Sequence, residues 1–223
     1  MNLADLFGWA GTVTGVLLGL PQLVRLLRTR NVDGLSVIAW QAMLAVNLGW
    51  TVHGLRIGQP PQWITSVLSL AATVPILILL ARALQRRLLP VLLPGIAFAA
   101  VMVAVDIWWG SAAYGVIAII PAVISNIGQS VELVRAPHVQ GVSVLFLILA
   151  VANQALWLTW AILVRDPGTI IAAVTNGVLG VFNLSWYTAR RLGLPPAFVR
   201  TEKSRPAAAR TANQKESSSC EVC

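Results

Sequence analysis

The sequence predicts an all-α integral membrane protein with seven transmembrane helices, grouped as two parallel three-helix repeats joined by a linker helix in a 3+1+3 arrangement. Three observations predict it. Apolar segments of about twenty residues recur along the chain, the basic residues between them fall on one face, and the second half of the chain repeats the first at a constant offset.

The composition excludes a soluble globular protein. The 223 residues are 57% hydrophobic and 11% charged, with a mean hydropathy of +0.76, whereas charged residues make up about a quarter of a soluble domain. The N-terminal stretch lacks a basic region and continues into a full span, so we expect no signal peptide.

Seven segments are long enough to cross the membrane as helices. A helix rises about 1.5 Å per residue, so a hydrocarbon core of about 30 Å takes about twenty residues. Helices are expected because each backbone N–H must be satisfied within its own segment. The predicted spans are approximately 4–26, 37–57, 61–81, 88–109, 111–131, 143–164 and 168–189.

The positions of Lys and Arg set the orientation. Fourteen of the 16 basic residues follow spans 1, 3, 5 and 7, and only Arg56 and Arg165 lie on the other face. The sequence therefore predicts a multi-pass protein of the cell membrane with its N-terminus outside and its C-terminus in the cytoplasm. The net charge of +8 is then a topology signal, and we expect membrane lipid rather than nucleic acid as a partner.

The repeat is seen by adding 107 to each residue number. This offset aligns the stretch 20–36 with 127–143, and it continues without a gap to place Trp50 on Trp157 and Pro60 on Pro167. A constant offset over this length indicates a duplication. Both copies place their basic turns on the same side, so the copies are parallel. Because three spans reverse the direction of the chain, a second parallel copy needs one extra membrane crossing before it.

These arguments divide the chain into four parts. Residues 1–87 form the first repeat, 88–110 the linker span, 111–191 the second repeat, and 192–223 a basic cytoplasmic tail that we expect to be disordered. The linker span has no polar residue in its middle, which favours a lipid-facing connector. Cys220 and Cys223 form a CxxC motif in the tail, which without further ligands is weak evidence for a metal site.

A Pro-Gln pair, Pro21-Gln22, ends span 1 and is followed by a basic turn and a Gly-x-Ser entry, Gly34 to Ser36, to span 2. With its in-register copy, this pattern resembles the PQ-loop repeat, and within that group the SWEET sugar transporters. The resemblance implies two three-helix bundles that rock about a solute site at their interface. SWEETs are carriers built from parallel repeats, and such carriers bind substrate near the middle of the membrane at the repeat interface.

Polar and aromatic residues deep in spans 2 and 6 are the candidate solute ligands, because polar groups facing lipid are costly. Asn47, Trp50 and His53 share one helical face, and Gln154, Trp157 and Trp160 are their aligned counterparts, with Asn153 beside them. Amides can bind sugar hydroxyls and an indole can cover the apolar face of a sugar ring. Helix-to-helix hydrogen bonding is the alternative role of the amides.

The resemblance adds a candidate in span 7. Asn176 and Gly177 resemble the Asn-Gly pair with which SWEETs contact sugar in their third and seventh spans. The aligned position in span 3 is Ser69, so one of the two asparagines is replaced here.

Helix breakers near the basic face are the candidate gate. Pro21 frees a carbonyl and weakens the helix locally, and the second copy has Gly128 in that position and Pro121 earlier. Gln22 and Gln129 are expected to bond to backbone groups that the breakers free.

The sequence favours facilitated diffusion, because a proton-driven carrier needs a titratable group within the bilayer. The acidic residues before the tail lie at span ends or in loops: Asp5, Asp33, Asp106, Glu132 and Asp166. His53 is the exception, and its place in the outer half of span 2 favours a polar lining residue over a proton relay. No pairing of nucleophile and base indicates an enzyme, and neither a cofactor nor a metal is expected.

The predicted function is a uniporter of a mono- or disaccharide, and a homo-oligomer is left open. Two alternatives share the resemblance. One is a proton-coupled amino-acid transporter of the cystinosin-like kind, in which Glu132 would have to titrate within the membrane. The other is a sorting receptor resembling the KDEL receptor.

Overall fold

A computed structural model describes residues 2–29, 32, 35–135, 139 and 142–197, and every regular element within them is a helix. There are seven: α1 (Leu3–Thr29), α2 (Val37–Arg56), α3 (Pro60–Ala83), α4 (88–109), α5 (111–135), α6 (Val144–Val164) and α7 (Pro167–Arg191). The prediction of an all-helical chain is confirmed for these residues, and the predicted spans differ from the helices by at most four residues at any end.

The chain turns back between α4 and α5 at Gly110. Its φ of 82° and ψ of 180° interrupt the helical run Leu88–Arg135, and glycine adopts such a positive φ without steric cost. Residues from the start of α4 and from the middle of α5 then lie around one small apolar cavity of about 140 Å³: Pro94, Gly95 and Phe98 with Ile120, Pro121 and Ile124.

Five helical stretches are long and apolar enough to cross a membrane: Leu3–Thr29, Pro60–Ala83, Leu88–Ile124, Val144–Val164 and Pro167–Arg191. They fit a multi-pass membrane protein. The third contains the turn at Gly110, so it covers parts of two predicted spans. Helix α2 is not among the five, because it carries Gln41, Asn47, His53 and Arg56; two of these side chains, Asn47 and His53, are buried inside the protein.

The aligned positions of the two halves form the same local structures. Ser36 caps α2 by accepting a hydrogen bond from the Ala39 N–H, and Ser143 caps α6 by accepting one from the Phe146 N–H, both at 3.3 Å. Such serine caps satisfy a backbone donor that the first turn leaves free. Pro60 and Pro167 both open their helices. The offset of 107 seen in the sequence therefore also relates the helix starts.

The helices pair in the same way in both halves. Helix α3 packs against α1 and α2, and α7 packs against α5 and α6. Between the halves, α1 packs against α6, and α2 packs against α5 through Trp50 and Tyr114, whose rings are 4.8 Å apart. We call the end that carries the α2–α3 and α6–α7 turns the turn end. The opposite end, with Arg25, Arg82 and Arg190, is the basic end.

Glycines allow the closest approaches between helices. A Cβ on Gly115 of α5 would lie 2.6 Å from the Gly168 carbonyl oxygen of α7. The aligned Gly8 of α1 would place a Cβ 2.8 Å from Pro61 of α3. Both contacts are too short for a side chain, so α1 and α5 reach their partners at the turn end only because glycine stands there.

Helix α4 is more than a connector in lipid. Its outer face is exposed, as Leu89, Trp108 and Trp109 show, but Met102 is fully buried against Gly49 of α2. Val91 accepts a hydrogen bond from the Gln41 side chain of α2 at 2.8 Å, and Asp106 is buried. Helix α4 therefore has an exposed face, as expected for a lipid-facing connector, and a second face that packs on α2.

The C-terminal part is described as far as residue 197. Arg190 donates to the carbonyl oxygens of Leu133 and Val134 at the end of α5, and the Ala197 N–H donates to Val134. Residues 198–223, which include most of the predicted tail and its CxxC motif, lie outside the described residues.

Candidate solute cavity

A cavity of about 300 Å³ lies between the two halves. Every helix except α4 contributes to its wall. Ten lining residues carry an amide or a hydroxyl, two are tryptophans, and eight are apolar or glycine: Asn47, Gln62, Thr65, Ser66, Ser69, Asn126, Asn153, Gln154, Thr169 and Asn176; Trp50 and Trp157; Gly15, Leu18, Met43, Val46, Ala118, Ala122, Ala172 and Ala173. None of these twenty residues is ionisable, so the wall is polar but uncharged.

Seven of the eight candidate solute ligands lie on this wall: Asn47, Trp50, Ser69, Asn153, Gln154, Trp157 and Asn176. They come from α2, α3, α6 and α7, and thus from both halves. His53 is the exception, because its side chain is fully buried and does not line the cavity.

The two aligned tryptophans occupy equivalent places. Trp50 contacts the His53 ring edge-on with centroids 5.4 Å apart, and Trp157 contacts Trp160 edge-on at 5.3 Å. Trp157 also covers Gly11 of α1, where a Cβ would lie 3.0 Å from the indole. Both indoles are half-buried and border the same cavity, so each keeps one side available to a ligand.

Two of the amides join helices as well as lining the cavity. The Asn47 side chain donates to the Thr73 hydroxyl of α3 at 3.1 Å, and Asn153 of α6 donates to the Gly11 carbonyl of α1 at 2.8 Å. Their NH₂ groups therefore have the helix-to-helix role considered above. Asn176 donates to the Ala172 carbonyl of its own helix at 2.9 Å.

Gln62 is a cavity residue that the sequence analysis missed. It lies in the first turn of α3, is 6% exposed, and its Oε1 atom has no hydrogen-bond partner in the described part of the chain. A buried acceptor without a donor costs about 1–3 kcal/mol. Two features of the sequence could have identified Gln62. It lies two residues after the helix start at Pro60, and it aligns with Thr169.

A second cavity of about 160 Å³ continues toward the basic end and shares Leu18, Asn126, Gln154 and Asn176 with the first. Gln129, one of the predicted gate residues, lines it, as does Asn183, whose buried Oδ1 has no partner within the described residues. The polar passage therefore extends from the middle of the protein toward the basic end.

The other predicted gate residues are not brought together. Pro21 lies within α1, and the Gln22 side chain is outside the described part. Pro121 borders the small apolar cavity beside α4 instead of the solute cavity. Nothing lies within 4 Å of where a Gly128 side chain would begin, so this glycine is not required by close packing.

An ionic cluster lies at the turn end. His53 Nδ1 is 2.9 Å from Asp106 Oδ2, and His53 Nε2 is 3.2 Å from Asp166 Oδ2. Arg56 binds Asp106 at 2.5 Å. Both acidic residues lie at span ends, as the sequence indicated, but they are buried there and only 3% and 6% exposed.

Asp166 is held ionised by its neighbours. Burial alone raises the pKa of its carboxyl, but hydrogen bonds from His53, Ser111 and Thr169 outweigh that effect and hold the pKa well below its ordinary value. As the N-cap of α7, Asp166 also accepts from the Thr169 N–H at 3.0 Å. The Asp166 carboxylate therefore also caps the N-terminus of α7.

Residues 3–63 match the PQ loop repeat family. The matched part comprises α1, α2, the turn between them and the first residues of α3, and it contains the Pro21-Gln22 pair. No curated protein and no solved structure matched the chain.

Proposed function

We propose that this chain, whose first helices match the PQ-loop repeat, is a facilitative carrier of small neutral sugars. The observation that carries the proposal is the uncharged wall of the central cavity, which offers amides, hydroxyls and two indoles to one ligand. Sugars present hydroxyl groups and an apolar ring face.

The pairing of helices supports transport by alternating access. The first repeat, residues 1–87, and the second, residues 111–191, meet through α1 with α6 and α2 with α5, which are equivalent contacts under the offset of 107. Exchanging the two repeats leaves this pattern unchanged. In the proposed 3+1+3 plan, two similar bundles rock about the cavity, and the solute is released at either end without a driving ion.

The nearest rival is a proton-coupled amino-acid transporter. A zwitterionic substrate requires compensation of its ammonium and carboxylate groups when it leaves water, and no lining residue is ionisable. Glu132, on which this rival depends, has a side chain outside the described part. Uptake driven by an imposed pH gradient and abolished in Glu132→Gln would favour the rival. Peptide binding without solute flux would favour a receptor.

The test is counterflow of labelled glucose and sucrose in proteoliposomes, without a pH gradient. We expect saturable exchange of at least one sugar and an at least fivefold loss in Asn176→Ala, since one hydrogen bond of about 1 kcal/mol corresponds to about that factor. Thr188→Ala on the exposed end of the same helix is the matched control and should exchange like the wild type.

Two results would remove the proposal. One is no exchange of either sugar by folded protein. The other is equal exchange by Asn176→Ala and Thr188→Ala together with transport of an amino acid.

A further inference from the structure

The ionic cluster at the turn end joins three parts of the molecule. His53 belongs to α2 in the first repeat, Asp166 to the α6–α7 turn in the second repeat, and Asp106 to the linker helix α4. The imidazole is fully buried between the two carboxylates. One side chain therefore ties both repeats and the linker together.

Charged and titratable groups reach His53 from several elements of the fold. Arg56 of α2 binds Asp106, and Asp106 is the contribution of α4. Helix α5 contributes Tyr114, whose ring stacks on the imidazole at 4.5 Å with an interplanar angle of 5°. Asp166 comes from the turn before α7. The contacts described for α3 at this point are with the uncharged residues Gln62 and Trp63, beside Gly54.

The geometry uses both ring nitrogens of His53 as donors. A neutral imidazole has one N–H, whereas the protonated ring has two, and each carboxylate faces a different nitrogen. With His53 protonated, two positive and two negative charges balance. Loss of the proton leaves one carboxylate without its donor and one uncompensated negative charge in the interior, which is costly.

The cluster has an uncharged twin in the other repeat. The offset of 107 places Trp160 on His53, Gln59 on Asp166, Gln62 on Thr169 and Phe7 on Tyr114. Trp160 is also fully buried, so the same packing site is filled without any ionisable group. The equivalent site of the other half packs without charges, which indicates that the charges at His53 have a role beyond packing.

The cluster lies directly against the solute cavity at its turn end. Thr169 lines the cavity, and its hydroxyl donates to Asp166 at 2.5 Å. Trp50 lines the cavity, and its ring contacts His53 and Tyr114. The second polar cavity extends from the solute cavity toward the basic end, so the cluster lies at the opposite end of the described passage.

We propose that His53 is a proton-binding site that holds the turn end of the cavity closed, with the linker helix α4 supplying one of its two carboxylates. The bound proton is the ligand, and its loss releases the second repeat from the first at this end. A metal ion is not the alternative ligand, because the described residues contain no arrangement of His, Cys, Asp and Glu suited to one, and Arg56 already occupies Asp106.

This proposal rests on the proposed function for its purpose but not for its test. Opening of the turn end can be measured by pulsed electron resonance on spin-labelled full-length protein in nanodiscs, with no solute present. One pair of labels, on Gln59 and Leu163, spans the turn end. A second pair, on Arg86 and Leu192, spans the basic end. Cys220 and Cys223 are replaced by Ser in each case.

Samples at about pH 5.5 and about pH 9.5 bracket the ordinary imidazole pKa of about 6.5. We expect a single short turn-end distance at the lower pH and at least about a tenfold larger population of a longer distance at the higher pH. In His53→Gln, which cannot be protonated, the distribution should be the same at both pH values. Asp5→Asn, an acidic residue of α1 outside the cluster, is the control and should respond like the wild type.

Asp106→Asn is the second variant, used if His53→Gln does not fold, and its pH response should be reduced. A wild-type distribution that ignores pH overturns the proposal. So does an unchanged pH response in either cluster variant. The labels on Arg86 and Leu192 measure movement at the basic end separately from the turn end. If the protein does not exchange sugar but the turn end still responds to pH, the proposed substrate is wrong and the proton site stands.

Discussion

Replacing Trp157 with alanine is expected to lower sugar exchange by at least about tenfold in proteoliposomes. The indole is half-buried, borders the cavity and rests on Gly11. Aromatic contacts contribute about 0.5–1.5 kcal/mol beyond area burial, and about 1.4 kcal/mol corresponds to a factor of ten. Counterflow at several sugar concentrations measures the effect, which should appear mainly as weaker apparent affinity.

Two further tryptophan variants make the result specific. Trp157→Phe keeps an aromatic face and the packing on Gly11, and should retain part of the exchange. Trp108→Ala removes an indole that is 72% exposed and outside the cavity, and should exchange like the wild type. An equal loss in Trp108→Ala and Trp157→Ala would show a general effect of removing tryptophan, and the role given to Trp157 would be wrong.

Gly115→Ala is expected to destabilise the protein strongly, by about 1–3 kcal/mol or more. The new Cβ would lie 2.6 Å from the carbonyl oxygen and 2.7 Å from the Cα of Gly168. Both atoms belong to the backbone at the start of α7, so no side chain can move aside. Thermal unfolding in detergent, followed by monodispersity on gel filtration, measures the change.

Gly128→Ala is the control on the same helix. A Cβ there meets nothing within 4 Å, and alanine is the better helix former by about 1 kcal/mol. The unfolding midpoint should be unchanged or slightly higher. If both variants unfold at the same temperature, the close contact between α5 and α7 does not contribute as the structure indicates.

Helix positions and much of the cavity could be predicted from the sequence. The apolar runs define the helices because a membrane leaves few other options for the backbone. The offset of 107 places Trp50 and Trp157 in equivalent positions, so a common cavity follows once the two halves face each other. Asn47 and Asn153 illustrate the limit: their position on the wall was expected, but their bonds to Thr73 and Gly11 depend on how closely the helices approach.

The ionic cluster could not be predicted in the same way. His53 meets partners 53 and 113 residues away, and neither separation follows from the repeat, since Asp106 lies in the unduplicated helix and Asp166 aligns with Gln59. Charges at span ends usually reach water, so position alone suggested exposure. Only the packing of α4 on α2, and the close start of α7, bring the two carboxylates inside.

The position of the third helix in each repeat has a consequence for biogenesis. Among the described residues α1 and α2 do not pack on each other, nor do α5 and α6, and the helix made last in each trio lies between the first two. A nascent chain that has inserted only two helices thus lacks the element that joins them. A chain truncated near residue 60 and released from the ribosome would hold α1 and α2 without the helix that packs on both.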